Sequence, residues 1–194
     1  MLDHLKKYRI LLGSASPRRK ELLAGLDIPF EVKLLSDVDE VYPKTLQKEE
    51  IPLFLARLKA DAYKDLLEEY DLLITADTIV WLDGNVYGKP RDEDEAKEML
   101  RILSGNIHEV ITGVCISGKE KQLTFHAVSK VKFARLDEDE IDYYIKKYKP
   151  YDKAGAYGVQ EWIGYIGVEQ LEGSFYNVMG LPVRMLYKHL KEWQ

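Results

Sequence analysis

The chain has 194 residues, a formal net charge of −5 and one cysteine, Cys115. That length supports one substantial core or two lobes sharing a sheet, and 46% hydrophobic with 31% charged residues is the balance of an ordinary soluble enzyme. No basic run is long enough for a nucleic-acid arm, so no duplex partner is expected; a lone cysteine excludes an intramolecular disulfide.

Residues 1–9 lack the apolar segment of a signal peptide, and no apolar stretch approaches membrane-spanning length. A cytoplasmic location and no membrane partner are expected. The run Ile10-Leu11-Leu12-Gly13 predicts a buried strand, and residues 18–26 a short helix with Leu22, Leu23 and Leu26 on one face. Between them lies Ser14-Ala15-Ser16-Pro17-Arg18-Arg19. Ser16 suits a helix N-cap and Pro17 the first helical position. Free N–H groups, the positive end of the helix dipole and two arginine forks would converge there, which is the chemistry of a phosphate site.

Residues 31–35 predict a second strand and residues 48–70 a helix carrying Phe54, Leu55, Leu58, Ala62 and Leu66. Residues 72–82 predict a central strand, and Asp83-Gly84 a hairpin turn. A helix follows over 91–103, then two long antiparallel strands over 108–117 and 122–134, joined through Gly118-Lys119. Residues 137–148 predict a helix with an acidic start and basic end, stopped by Pro150. The glycine-rich region 155–180 reads as loop and short strand, and residues 181–193 as a closing helix. No linker or repeat divides the chain, so residues 1–194 are taken as one domain. Strands and helices alternate but include two hairpins, which predicts a mixed α/β (α+β) fold: a long mixed sheet with flanking helices.

Asp77 interrupts an apolar strand in Thr75-Ala76-Asp77-Thr78-Ile79-Val80. A buried carboxylate needs a partner, so Asp77 is either a hydrogen-bonded residue at a bulge or a metal ligand or general base at a cleft edge. In Gly88-Lys89-Pro90 the lysine is presented from a loop, for a ligand or simply for solvent. Asp37, Asp39 and Glu40 form an acidic loop suited to a hard cation such as magnesium, or to solvent. Lys59 lies beside the apolar face of its helix, where snorkelling would also place it. Cys115, within the apolar run 110–116, reads as a buried structural thiol. Lys153-Ala154-Gly155-Ala156-Tyr157-Gly158-Val159-Gln160 and Gly173-Ser174-Phe175-Tyr176-Asn177-Val178-Met179-Gly180-Leu181-Pro182 combine glycines with aromatic rings. They suit close approach to a nucleobase, or a set of turns around a core tyrosine.

Taken in order, these motifs, together with Asp39-Glu40, residues 56–60 and His108 with Thr112-Gly113, resemble the Maf family over nearly the whole chain. The resemblance implies house-cleaning hydrolysis of nucleoside triphosphates to a monophosphate and pyrophosphate. It implies a divalent cation (magnesium, with manganese or cobalt as substitutes), a homodimer, and a fold like that of the inosine triphosphate pyrophosphatases, with two lobes around a central cleft. Under it Asp77 is the proton acceptor, with Lys89, Lys59 and Arg19 as catalytic cations; Ser14, Ser16, Arg18, Thr78 and Gln160 bind substrate, and Glu40 and Asp77 hold the metal. Arg18, Thr78 and Gln160 match the branch acting on dTTP and UTP; the 7-methyl-GTP branch has Gln after the Asp. The family continues with Gly after Gln160, whereas this chain has Glu161-Trp162. The alternatives are a nucleotide-binding regulator of septum formation without turnover, or a pyrophosphatase for 7-methyl-GTP or damaged purine nucleotides.

Overall fold

Strand β1 (Arg9–Leu12) buries Ile10, Leu11 and Leu12 and runs parallel to both β2 (Glu31–Val32) and β3 (Asp71–Leu82). The structure, a computed structural model, describes residues 2–35 and 38–194. Helix α1 (Pro17–Ala24) follows β1, and α2 (Glu50–Asp61) precedes β3. Strand β4 (Asn85–Tyr87) folds back on β3, then come α3 (Glu93–Leu103), β5 (Ile107–Ser117), β6 (Gln122–Phe133) and α4 (Glu138–Tyr148). Helix α5 (Trp162–Gly167), β7 (Val168–Glu172), α6 (Phe175–Met179) and α7 (Val183–Lys191) complete the chain. The hydrogen-bonded strand order is β2-β1-β3-β5-β6-β7, with β4 added to β3. Parallel pairing at β1 and antiparallel pairing at β3/β4 and β6/β7 make the sheet mixed, as predicted, and β5 and β6 are hydrogen-bonded neighbours.

Contacts divide the residues into two compact units. The first comprises Met1–Asp77, Thr112–Ala127 and Gly180–Gln194. Its core sets Leu11, Leu73 and Cys115 of the sheet against Ala56, Ala60, Tyr63 and Leu67. Two alanines one turn apart let α2 lie close to the strands. Gly113 takes this further: a Cβ there would sit 2.3 Å from the Pro52 carbonyl oxygen, so the first turn of α2 rests on the backbone of β5. Thr75 Oγ1 donates to Ala56 O at 2.7 Å and fixes α2 against β3. At the start of β3, Arg9 forks onto the buried Asp71 through Nε (2.7 Å) and NH2 (2.8 Å).

The second unit comprises Thr78–Ile111 and Val128–Met179. Asp83 and Gly84 both adopt positive φ (50° and 82°), the geometry of the tight hairpin turn predicted for them. Asp92 caps α3 by accepting from Glu95 N at 2.8 Å, and Asp137 with Glu140 forms a capping box on α4. His108, Phe133 and Tyr157 cluster edge to face, with Tyr157 Oη 2.7 Å from His108 Nε2. Gly155 has φ +67° and faces Val80, where a Cβ would come within 2.8 Å of Cγ2. Only glycine satisfies both conditions.

Three predicted elements change. The strand over 31–35 stops at Val32, because Leu35 N turns away to bond Tyr63 Oη (3.2 Å), which itself donates to Lys33 O (2.7 Å). The helix over 48–70 ends at Asp61, and a separate 3-10 turn (Lys64–Leu66) follows. The glycine-rich region contains α5 and α6 as well as β7. Gly164 there marks close packing rather than a loop, since its Cβ would overlap Val159 O.

Candidate active site

The junction of β1 and α1 is built as the sequence predicts. Ser16 is the N-cap, its Oγ accepting from Arg19 N, and Pro17 opens the helix. Ser14 Oγ accepts from Ser16 N (3.3 Å) and from Arg19 NH1 (3.4 Å). Both serines and both arginines are half-buried. Arg19 does more than line this junction. Its Nε donates to Gly180 O and its NH1 to Ala76 O, both at 2.8 Å. Its guanidinium therefore holds the residue before Asp77 and the turn at Gly180. Burial lowers the Arg19 pKa on balance, with Arg18 adding to the fall and the carboxylates of Asp77 and Glu40 opposing it. An arginine remains charged under both influences.

Asp77 does have the partner that its burial demands. Lys59 Nζ lies 2.6 Å from Asp77 Oδ1 and 2.9 Å from Glu40 Oε2. The Lys59 and Asp77 side chains are 14% and 13% exposed, whereas Glu40 is 45% exposed, so the triad opens to solvent on the Glu40 side. The Ala56 and Gly113 contacts that seat α2 are what bring Lys59 to this point, so it is an ion-pair partner rather than a snorkelling surface residue. Asp37 of the same acidic loop lies outside the described residues.

In the second unit Thr78 directly follows Asp77 along β3, and Lys89 is exposed in a loop whose Gly88 O accepts from Gly155 N at 3.0 Å. Gln160 is half-buried, and its Oε1 is buried without a hydrogen-bond partner. An unpartnered buried acceptor is costly, and it suits a ligand donor; His108 Nδ1 of the same unit is likewise buried without a hydrogen-bond partner. Glu161 is fully engaged: Oε2 accepts from Tyr144 Oη and Oε1 lies 3.1 Å from Lys153 Nζ. Tyr144 belongs to the site's support but gave no sequence signal, since an aromatic residue on the inner face of a helix reads as core. Two other titratable groups, His108 and Cys115, are buried and neutral near pH 7. Burial lowers the His108 pKa to about 4 and raises the Cys115 thiol to about 11.

For a divalent cation the donor chemistry fits in part. Glu40 and Asp77 converge on one cationic centre, the Lys59 ammonium, but the described residues contain no group of three or more His, Cys, Asp or Glu able to hold a metal. Two carboxylates, with phosphates and water completing the shell, is the habit of magnesium rather than of zinc.

The family is decided by sequence. The Maf-like protein family matches residues 9–193. This chain belongs to the Maf-like family. A dTTP/UTP pyrophosphatase of Parabacteroides distasonis is 60% identical over 193 residues, covering 100% of both chains. One from Porphyromonas gingivalis is 59% identical, covering 100% of this chain and 98% of that protein. One from Flavobacterium johnsoniae is 48% identical, covering 97% and 96%. Among solved structures, the Ham1 protein of Staphylococcus aureus aligns with TM-score 0.55 at 18% identity, covering 96% of this chain and 100% of that one. A HAM1 protein of Coxiella burnetii gives 0.51 at 16%, covering 95% and 99%. At such identities the likeness speaks for the fold alone, and this Maf-like chain shares the mixed α/β fold expected for it.

Proposed function

We propose that this Maf-like chain is a nucleoside triphosphate pyrophosphatase that cleaves dTTP and UTP between the α and β phosphates, releasing the monophosphate and pyrophosphate. The observation that carries the reading is Lys59 held between Asp77 and Glu40, in the same unit as the serine-capped, arginine-bearing start of α1. A triphosphate is highly anionic, and hydrolysis needs its charge offset and a water deprotonated. Arg18, Lys59 and Lys89 supply positive charge, while Ser14 and Ser16 offer hydroxyls to phosphate oxygens. Arg19 holds the backbone that carries Asp77 in place. Asp77 takes the proton of the attacking water. Glu40 and Asp77 would hold magnesium, manganese or cobalt, which when bound offsets phosphate charge and acidifies water. Thr78 and Gln160 address the base: a uracil or thymine edge has an N–H between two carbonyls, and an amide matches adjacent donor and acceptor positions.

The relatives named dTTP/UTP pyrophosphatase, 60% and 59% identical over essentially the full chain, support this choice of substrate. The reading takes residues 1–194 as one catalytic domain working in the cytoplasm as a homodimer, the latter checked by sedimentation. The test is pyrophosphate release from a panel of triphosphates with magnesium present. The reading expects kcat/KM for dTTP and UTP well above ATP, GTP and 7-methyl-GTP. A value for 7-methyl-GTP equal to that for UTP contradicts the base assignment, and binding of all nucleotides without turnover favours a regulator.

A further inference from the structure

Glu161, half-buried, is the centre of a network of hydrogen bonds and ion pairs in the second unit. Its Oε2 accepts from the Oη of Tyr144, a fully buried residue of α4. Tyr144 Oη in turn accepts from Gly158 N at 3.0 Å. Lys153, only 7% exposed, pairs with Glu161 Oε1 at 3.1 Å and with Asp152 at 2.8 Å. Glu161 N closes the turn onto Gly158 O at 2.9 Å. Gln160 lies inside that turn. A Cβ on Gly158 would meet Glu161 Cδ at 2.9 Å and Gln160 Nε2 at 3.1 Å, so the amide nitrogen is packed against the turn while Oε1 is buried and unpartnered.

We propose that Glu161, fixed by Tyr144 and Lys153, is a positioning residue that orients the Gln160 amide and thereby sets selectivity for a pyrimidine base edge bearing an N–H flanked by carbonyls. This rests on the reading in which Gln160 meets the base. Glycine at 161 would leave the Tyr144 hydroxyl and the Lys153 ammonium without this carboxylate, and the turn that carries Gln160 would lose two of its side-chain anchors. A polar group must be held to a fraction of an ångström to discriminate between bases, and a rotatable amide is held only by what surrounds it.

The test is a double-mutant cycle on the full chain, with kcat and KM measured for UTP and ATP. Glu161→Gln is expected to lower kcat/KM for UTP by about ten- to a hundredfold, mostly through KM, and to leave ATP nearly unchanged. In a Gln160→Ala background the same change should add no more than about a twofold loss, because the two residues act as one. Tyr144→Phe should likewise lower the UTP-to-ATP ratio. Multiplicative losses in the double variant, equal losses for UTP and ATP, or an unaltered ratio in Tyr144→Phe would overturn the assignment. An unmodified chain that releases no pyrophosphate from UTP or dTTP would overturn the hydrolase reading and this one with it, and shows before any variant is made.

Discussion

Asp77 and Lys59 form a mutually dependent pair: each is about 13–14% exposed, and each would be a poorly solvated charge without the other. Asp77→Asn keeps the shape and much of the hydrogen bonding but removes the proposed base, so kcat should fall about 10²-fold or more while nucleotide binding survives. Single-turnover rates with equilibrium binding check this, and normal turnover would remove Asp77 from the mechanism. Lys89 is exposed and, among the described residues, makes no ion pair that holds the fold. Lys89→Ala should therefore leave stability unchanged and lower kcat/KM by about 2–4 kcal/mol equivalent for every triphosphate alike, the scale of a lost charged donor. A change confined to base preference would place Lys89 away from the phosphates.

At the scale of elements, the seating of α2 decides where Lys59 ends up. Gly113→Ala would drive a methyl group into the Pro52 carbonyl at 2.3 Å, contact that only backbone movement relieves. Overpacking of this kind costs about 1–3 kcal/mol. Urea denaturation should show that loss, and activity should fall with it because α2 carries Lys59; a variant as stable and active as the parent would mean that α2 is not held there. Much of this element layer was legible in the chain. Serine and proline before an apolar helix face predicted α1 and its cap, and Asp83-Gly84 predicted the β3/β4 hairpin, because both are local rules acting within a few residues. The early ends of β2 and α2 were not legible. They follow from Tyr63 bonding Lys33 O and Leu35 N, contacts about 30 residues apart in sequence. Helices α5 and α6 were hidden because glycine suggests loops, whereas Gly164 serves close packing inside α5. In the site itself, Asp77 announced itself as a charge in an apolar strand. Glu40 was legible as part of an acidic loop suited to a cation and Lys59 only as lying beside an apolar helix face; nothing local points either one at Asp77, and Tyr144 gave no signal.

For the whole molecule, the pair Arg9–Asp71 ties the first strand to the central one and gives the fold a pH signature. Hydrogen bonds from Arg9 hold the buried Asp71 carboxyl below its ordinary value of 3.8, against the opposing effect of burial. A depressed carboxylate stabilises the folded chain fully above the unfolded pKa, and that contribution is lost as pH falls through the lower, folded one. Because Arg9 is 43% exposed, solvent screens the pair and its contribution at neutral pH is modest. Asp71→Asn should lower stability at pH 7, and the gap to the parent should narrow below about pH 4. A gap that stays constant down to acid pH would remove the ion pair from the stability of the fold.

The chemistry assigned to this Maf-like chain is tested most directly by the identity of its products. Phosphorus NMR of UTP incubated with the protein and magnesium separates cleavage at the α–β bond from cleavage at the β–γ bond. The account predicts UMP and pyrophosphate, formed at least about 10²-fold more slowly by Asp77→Asn. UDP and inorganic phosphate, or UMP and pyrophosphate formed equally fast without the Asp77 carboxylate, would contradict it.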